Sequence, residues 1–217
     1  MDPVDLALVL ALDGSASVTF EEFNLMAGGL GAALRDPDVV AGLTGGAHHA
    51  SLGALLLWSG VGAEDVLVDW TRIGAAAEAE AFAGAVENIP RTVRPGLTAI
   101  GAALRAAERL LGAAPAPAAR RVVDIAGDGR SNDGAPPGPE RDRMAAAGIT
   151  INGLCVLHEE PDLLQTYTSE VIGGPGAFAL TCPDYAGFAA AMRQKLAREI
   201  AAVPANVAPL NRRPARA

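Results

Sequence analysis

The chain has 217 residues, half of them hydrophobic and 19% charged, which suits one medium-sized domain with its own core and no need of disulfide staples. A net charge of −8 argues against a nucleic-acid binder that grips phosphates through surplus Lys and Arg; it makes a cation the natural ligand for clustered carboxylates. The longest apolar runs, Leu6–Leu12 and Leu52–Trp58, fall far short of the ~20 residues that span a bilayer.

Val4–Leu12 alternates little and predicts a central strand buried on both faces. It ends at the turn signal Asp13-Gly14-Ser15. Phe20, Phe23, Met26, Leu30 and Leu34 follow at helical spacing, and Thr19 with Glu22 can form a capping box. Gly28-Gly29-Leu30-Gly31 falls inside that helix and follows no strand end, which disfavours a phosphate loop. The stretch Gly42–His49 reads as a surface loop, and its His48-His49 pair has no matching ligands nearby in sequence.

Leu52–Trp58 and Val66–Trp70 predict two strands with a short connection, hence a hairpin, and Ala75–Val86 a helix with a weak face. Beyond Pro95-Gly96, the residues Ile100, Ala103, Leu104, Ala107, Leu110 and Leu111 form an i, i+3, i+4, i+7 stripe. A Pro/Ala connector, Ala113–Ala119, leads to a strand at Arg121–Ala126, a polar loop at Gly127–Pro139 and a short helix near Glu140–Ala147. Further elements are a strand at Ile149–Leu157, a helix at Asp162–Val171, a short strand at Ala177–Thr181 and a helix at Asp184–Ala201. Alternating strands and helices imply a mostly parallel sheet covered on both faces. One domain over residues 1–202 is expected, followed by a disordered Pro/Ala/Arg tail over 203–217.

Three places along this pattern concentrate oxygen ligands. Asp13-Gly14-Ser15-Ala16-Ser17 leaves the first strand at its C-terminal end, the edge where open α/β sheets bind ligands. One carboxylate and two hydroxyls at i, i+2, i+4 offer three hard ligands of the kind Mg²⁺ prefers. Each residue alone also has a plainer reading: Asp13 as a turn former, and Ser17 or Thr19 as the helix cap. Thr98, in Gly96-Leu97-Thr98-Ala99-Ile100-Gly101, precedes the strongest helical stripe and taken alone reads as an N-cap. Asp128, in Gly127-Asp128-Gly129, taken alone reads as a turn residue.

In combination, the D-x-S-x-S run, the later Thr and the later Asp-Gly resemble the metal-ion-dependent adhesion site of von Willebrand factor type A (vWA) domains. All of that site's positions have a match here, at Asp13, Ser15, Ser17, Thr98 and Asp128. Trp58-Ser59-Gly60, Gly127-Asp128-Gly129, Gly148–Leu154 and Ile172–Phe178 are similar to an uncharacterised bacterial branch carrying a domain-of-unknown-function label.

The resemblance implies a doubly wound, Rossmann-like α/β fold of six strands in the order 3-2-1-4-5-6, with the third strand antiparallel and helices on both faces. In that order Asp13 and Asp128 flank the point where the winding reverses, where a ligand crevice opens. It also implies one Mg²⁺ or Mn²⁺ held by the five residues, and recognition rather than catalysis: a partner protein's Asp or Glu fills an open coordination position. Many members of the branch look exported, and Met1-Asp2-Pro3 has no signal-peptide start; a periplasmic location then requires a trimmed leader, with the cytoplasm as the alternative. The strand order makes the Cys155 and Cys182 strands neighbours, so a bridge is open unless their side chains point to opposite faces.

The acidic residues of the surrounding loops, Asp133, Glu159 and Glu160, predict a partner patch that is basic around one central acid. Asn132 and Asp133 are candidates to support the ligands from behind. A rival reading is a metal-dependent phosphohydrolase, which needs a second acid where Ser15 stands and a cation for the phosphate, Arg130 being the one candidate. A third is a scaffold of the same fold that binds no metal.

Overall fold

The computed structural model describes residues 2–201. The tail expected over 203–217 lies outside the described residues. Six strands form one sheet in the order β3-β2-β1-β4-β5-β6: β1 (Val4–Asp13), β2 (Ser51–Trp58), β3 (Glu64–Ile73), β4 (Ala118–Gly127), β5 (Ile149–Val156) and β6 (Ala179–Cys182). All neighbours pair in parallel except β2 and β3, which form the antiparallel hairpin at one edge. This is the doubly wound vWA-like arrangement.

β1 is buried along its whole length, and its two faces differ in size. Leu6, Leu8, Leu10 and Leu12 pack against α1 (Phe20–Leu34), α3 (Ala76–Glu87) and α7 (Phe188–Ala201). Ala7, Val9 and Ala11 pack beneath α4 (Ile100–Gly112), where Ala103 and Ala107 allow the helix to lie close. Large residues on one face and small ones on the other explain why the strand shows no polar alternation although it has two distinct sides. Among the described residues no helix is long and apolar enough to cross a membrane.

The glycines of α1 serve packing. A Cβ on Gly29 would lie 3.1 Å from Ala189 and Phe188 at the start of α7, and one on Gly31 would lie 2.9 Å from the Glu87 Cβ of α3. The run therefore lets two helices approach α1. The expected capping box is present: Thr19 Oγ1 accepts the Glu22 N–H and Glu22 accepts the Thr19 N–H.

Several boundaries differ from expectation. Residues 36–44, read in part as loop, contain α2 (Pro37–Thr44), started by the Asp36 side chain accepting the Asp38 N–H and by proline in the first turn. The helix expected at Asp162–Val171 is one α-turn, α6 (Leu163–Thr166), followed by a π-helical turn over Tyr167–Val171. The short helix near Glu140 is α5 (Pro137–Ala146), which begins earlier on its prolines. His48-His49 sits in a loop tied down by the buried Asp5 carboxylate, which accepts the His48 N–H.

Cys155 and Cys182 are both free and buried. In the β5–β6 register Cys155 lies opposite Thr181, while Cys182 lies opposite Val156. The one-residue offset sends the two thiols to opposite faces of the sheet, one into each core, so the bridge left open by the strand order does not form.

Sequence patterning missed a charged cluster inside the core. Lys195 of α7 is fully buried and ion-pairs with Asp124 of β4. One turn on, the buried Glu199 pairs with Arg120 and accepts from the Asn152 amide, whose own oxygen accepts the Phe178 N–H at 2.9 Å. Burial pulls the Lys195 ammonium down to about 7, with Glu199 acting in the opposite direction. The signal was present in α7, because Lys195 and Glu199 fall on the same helical face as Phe188, Met192 and Leu196. Lys195→Ala leaves Asp124 buried without its counter-charge and is expected to cost about 3–5 kcal/mol in urea unfolding. Pairing Lys195→Met with Asp124→Leu should recover most of that loss.

Candidate functional site

The C-terminal ends of β1 and β4 meet by register. Leu12 pairs with Ala126, so Asp13 and Gly127 stand side by side and Asp128 follows one residue on. Close approach demands glycine here: a Cβ at position 127 would lie 2.8 Å from Asp13 Oδ2 and 2.9 Å from the Tyr167 hydroxyl. Asp13 and Asp128 are fully buried, as is Ser15, whereas Ser17 faces solvent.

The β1–α1 loop wraps around these carboxylates. Asp13 Oδ1 accepts the Ser15 N–H at 2.7 Å. The Ser15 and Ser17 hydroxyls stand 3.1 Å apart, and Ser17 Oγ donates to Asp128 Oδ1 at 2.7 Å. Ser17 thus bridges two loops, and the cap of α1 is supplied by Thr19 instead.

Thr98 is buried and does not cap α4, since Ala99 occupies the cap position without a side-chain bond. Its loop is stitched on three sides. The Gly96 carbonyl accepts the Ala16 N–H at 2.9 Å. Ser59 accepts the Gly96 N–H on its hydroxyl and the Ala99 N–H on its carbonyl, both at 3.0 Å. Asn132 accepts the Thr98 N–H at 2.7 Å and returns its own N–H to the Thr98 carbonyl at 2.9 Å. The structure therefore brings all three oxygen-bearing loops to one edge of the sheet and gives Asn132 its supporting place behind Thr98.

The electrostatics are those of two acids only partly compensated. Asp13 Oδ2 and Asp128 Oδ2 are buried and find no hydrogen-bond partner among the described residues. Burial and then the Asp128 charge together raise the Asp13 carboxyl to about 7, against the Ser15 N–H, the Ser15 hydroxyl and Arg91. Asp128 is raised chiefly by burial, against the pull of the Ser17 hydroxyl, Tyr185 and His158. Among the described residues no group of three His, Cys, Asp or Glu stands where it could hold a metal. Any cation here would have to rely on two carboxylates and on hydroxyls, a hard-oxygen donor set suited to Mg²⁺ or Mn²⁺.

Three neighbours had no sequence signal. Arg91 donates to the carbonyls of Gly14 and Ser15 at 3.0 and 2.8 Å and lies 6.0 Å from the Phe23 ring centre. Tyr167 and Tyr185 bring buried hydroxyls to the two acids, and both phenols are pushed up chiefly by burial, with the Asp13 and Asp128 charges adding to it. All three come from segments distant in the chain, so only the fold assembles them. Arg130, the one cation near Asp128 in sequence, is engaged by Glu160 and Asp162.

If the two carboxylates oppose each other, Asp13→Asn should relieve the folded state when no cation is present, because the amide oxygen can still accept the Ser15 N–H. In chelator at pH 8 the expected outcome is a Tm higher by about 2–4 °C, roughly 1 kcal/mol, read by scanning calorimetry. A fall in Tm would show that the pair is compensated within the protein.

Comparison with solved structures places the fold among vWA domains. A mussel byssus proximal thread matrix protein, solved with a zinc-occupied MIDAS motif, superposes with a TM-score of 0.63 at 18% identity, over 91% of this chain and 48% of that one. A von Willebrand factor type A protein from Catenulispora acidiphila gives 0.60 at 18% identity, over 91% and 43%. The vWF domain of the type V pili tip protein Mfa5 from Porphyromonas gingivalis gives 0.61 at 12% identity, over 96% and 98%. At these identities the likeness is one of fold, and the chain spans about half the length of the mussel and Catenulispora chains. No curated protein matches the chain. One family matches nearly the whole of it, residues 3–204, and the chain belongs to that family, described as "Protein of unknown function (DUF1194)".

Proposed function

We propose that this chain is a divalent-metal-dependent protein-binding module, in which Asp13, Ser15, Ser17, Thr98 and Asp128 hold one Mg²⁺ or Mn²⁺ and leave a coordination position for an Asp or Glu of a partner protein. The observation that carries this reading is the pair of buried carboxylate oxygens, Asp13 Oδ2 and Asp128 Oδ2, that find no hydrogen-bond partner among the described residues. Buried charge of one sign is costly unless it is paired or coordinates a metal.

Each residue has a part. Asp13 and Asp128 supply the negative charge, and Ser15, Ser17 and Thr98 supply neutral oxygens. The Ser15 N–H fixes the Asp13 carboxylate, and Asn132 with Ser59 holds the Thr98 loop at its height. A divalent ion with only two carboxylates around it keeps a strong attraction for a third from outside. Two proteins of similar fold, one with a zinc-occupied MIDAS motif and the other a pili tip protein, support a binding role over a catalytic one. So does the engagement of Arg130 by two acids, which leaves that guanidinium committed within the protein.

Metal binding is tested on the purified protein. At a hundredfold excess of Mn²⁺ over its Kd, the folded state should gain about 2.7 kcal/mol. Calorimetry should give one ion per chain, and the gain should vanish in Asp13→Ala and Thr98→Ala. Equal affinity in wild type and Asp13→Ala overturns the assignment. Partner binding is tested by capture from the source cell with and without chelator, where a complex that forms equally well without divalent ion refutes the proposal.

A further inference from the structure

The acidic side chains around the site make contacts within the protein. Asp133 Oδ2 accepts the Val61 N–H at 2.8 Å. Glu160 accepts from the Arg130 backbone and pairs with its guanidinium, which also reaches Asp162. Glu22 accepts the Thr19 N–H at 2.8 Å and lies 3.5 Å from His158 Nε2, while Glu159 lies 3.3 Å from the same nitrogen. These contacts orient the acidic side chains of the loops around the site.

Large apolar side chains also stand open. Phe20 is 65% exposed, Val61 55% and Leu97 57%. Each belongs to a loop or helix start at the site's edge of the sheet. Phe20 opens α1 three residues after Ser17, Leu97 immediately precedes Thr98, and Val61 lies in the β2–β3 turn. That turn adjoins the Thr98 loop: a Cβ on Gly60 would lie 3.6 Å from the Leu97 backbone nitrogen, and one on Gly134 would meet Val61 Cγ2 at 2.6 Å. The Val61 N–H is bonded to Asp133, which ties that turn to the loop after Asp128. Scattered exposed apolar residues need no explanation, but several around one polar centre mark an interaction surface.

We infer that the partner presents its carboxylate on an exposed segment whose neighbouring residues are large and apolar, so that the acid meets the site while its flanks cover Phe20, Val61 and Leu97. This rests on the metal-dependent reading above and adds the partner's chemistry to it. Apolar contacts around a charged one exclude water from it, which strengthens the polar bond made there.

The test uses the full chain and displayed random heptapeptides with a fixed central Glu, selected in Mn²⁺ and counter-selected in chelator. Selected sequences should carry Phe, Leu, Ile, Met or Trp beside the Glu in preference to Lys or Arg. A selected peptide should lose about tenfold in affinity for Val61→Ser or Phe20→Ser, the scale set by burying one large apolar side chain, while calorimetric Mn²⁺ affinity stays at the wild-type value. Enrichment of Lys or Arg, no enrichment, or unchanged peptide affinity in both variants overturns the inference while Mn²⁺ binding stands. Absence of any Mn²⁺ binding overturns the metal reading, and this inference with it.

Discussion

Two carboxylates buried side by side, with one oxygen of each left without a partner, are the constraint around which this edge of the molecule is arranged. Parallel pairing of β1 with β4 makes Asp13 the neighbour of Gly127, and the next residue is Asp128. A side chain at position 127 would collide with the Asp13 carboxylate, so the approach depends on glycine there. The surrounding contacts offset part of the repulsion: the Ser15 N–H and Arg91 on the Asp13 side, and the Ser17 hydroxyl on the Asp128 side. What these contacts do not offset is the surplus negative charge on which the proposed cation site rests.

The charged cluster under α7 makes an instructive contrast. Lys195, Asp124, Glu199, Arg120 and Asn152 also place charge in the core, but acids and bases answer each other there and the amide takes up the remaining oxygen. That cluster is balanced in charge, two acids against two bases, and joins α7 to β4 and β5. The pair at the sheet edge is open, with acids in surplus. Both lie on the same sheet, and the difference in charge balance separates a structural device from the proposed binding one.

Rigidity at the edge comes from loops bonded to one another. Ser59, at the end of β2, holds Gly96 and Ala99; Gly96 in turn holds Ala16, and Asn132 grips Thr98 from the far side. The phrase Trp58-Ser59-Gly60 thus has a local function: it sets the height of the Thr98 loop against the β1–α1 loop. Asp133 reaches back to Val61 and closes the circuit. Loops mounted in this way can keep a coordination geometry that loops free in solvent would lose.

Much of this was legible in the sequence, for identifiable reasons. Period and run length separate strands from helices without tertiary information, because both follow from backbone geometry alone, and so β1, α1, α4 and the β2–β3 hairpin fell where patterning placed them. Local chemistry likewise decided the Thr19–Glu22 capping box. The three oxygen-bearing segments stood out because each follows a strand or precedes a helix at the ligand-binding edge, and their joint resemblance to a vWA site carried the strand order. Patterning failed where the deciding partner is remote. The α2 helix lies in a short segment whose Asp36-Pro37 start signal was available but weak, and only Arg120, Asp124 and Asn152 explain why Lys195 and Glu199 can occupy a buried helix face. Whether Cys155 meets Cys182 turned on a one-residue register offset. What Asp133, Glu159 and Glu160 touch turned on Val61, His158 and Arg130. The sequence by itself determined which elements form and which oxygens gather at one edge; tertiary structure alone decided which charges remain unanswered there, because a charge is cancelled by whatever lies within a few ångströms in space.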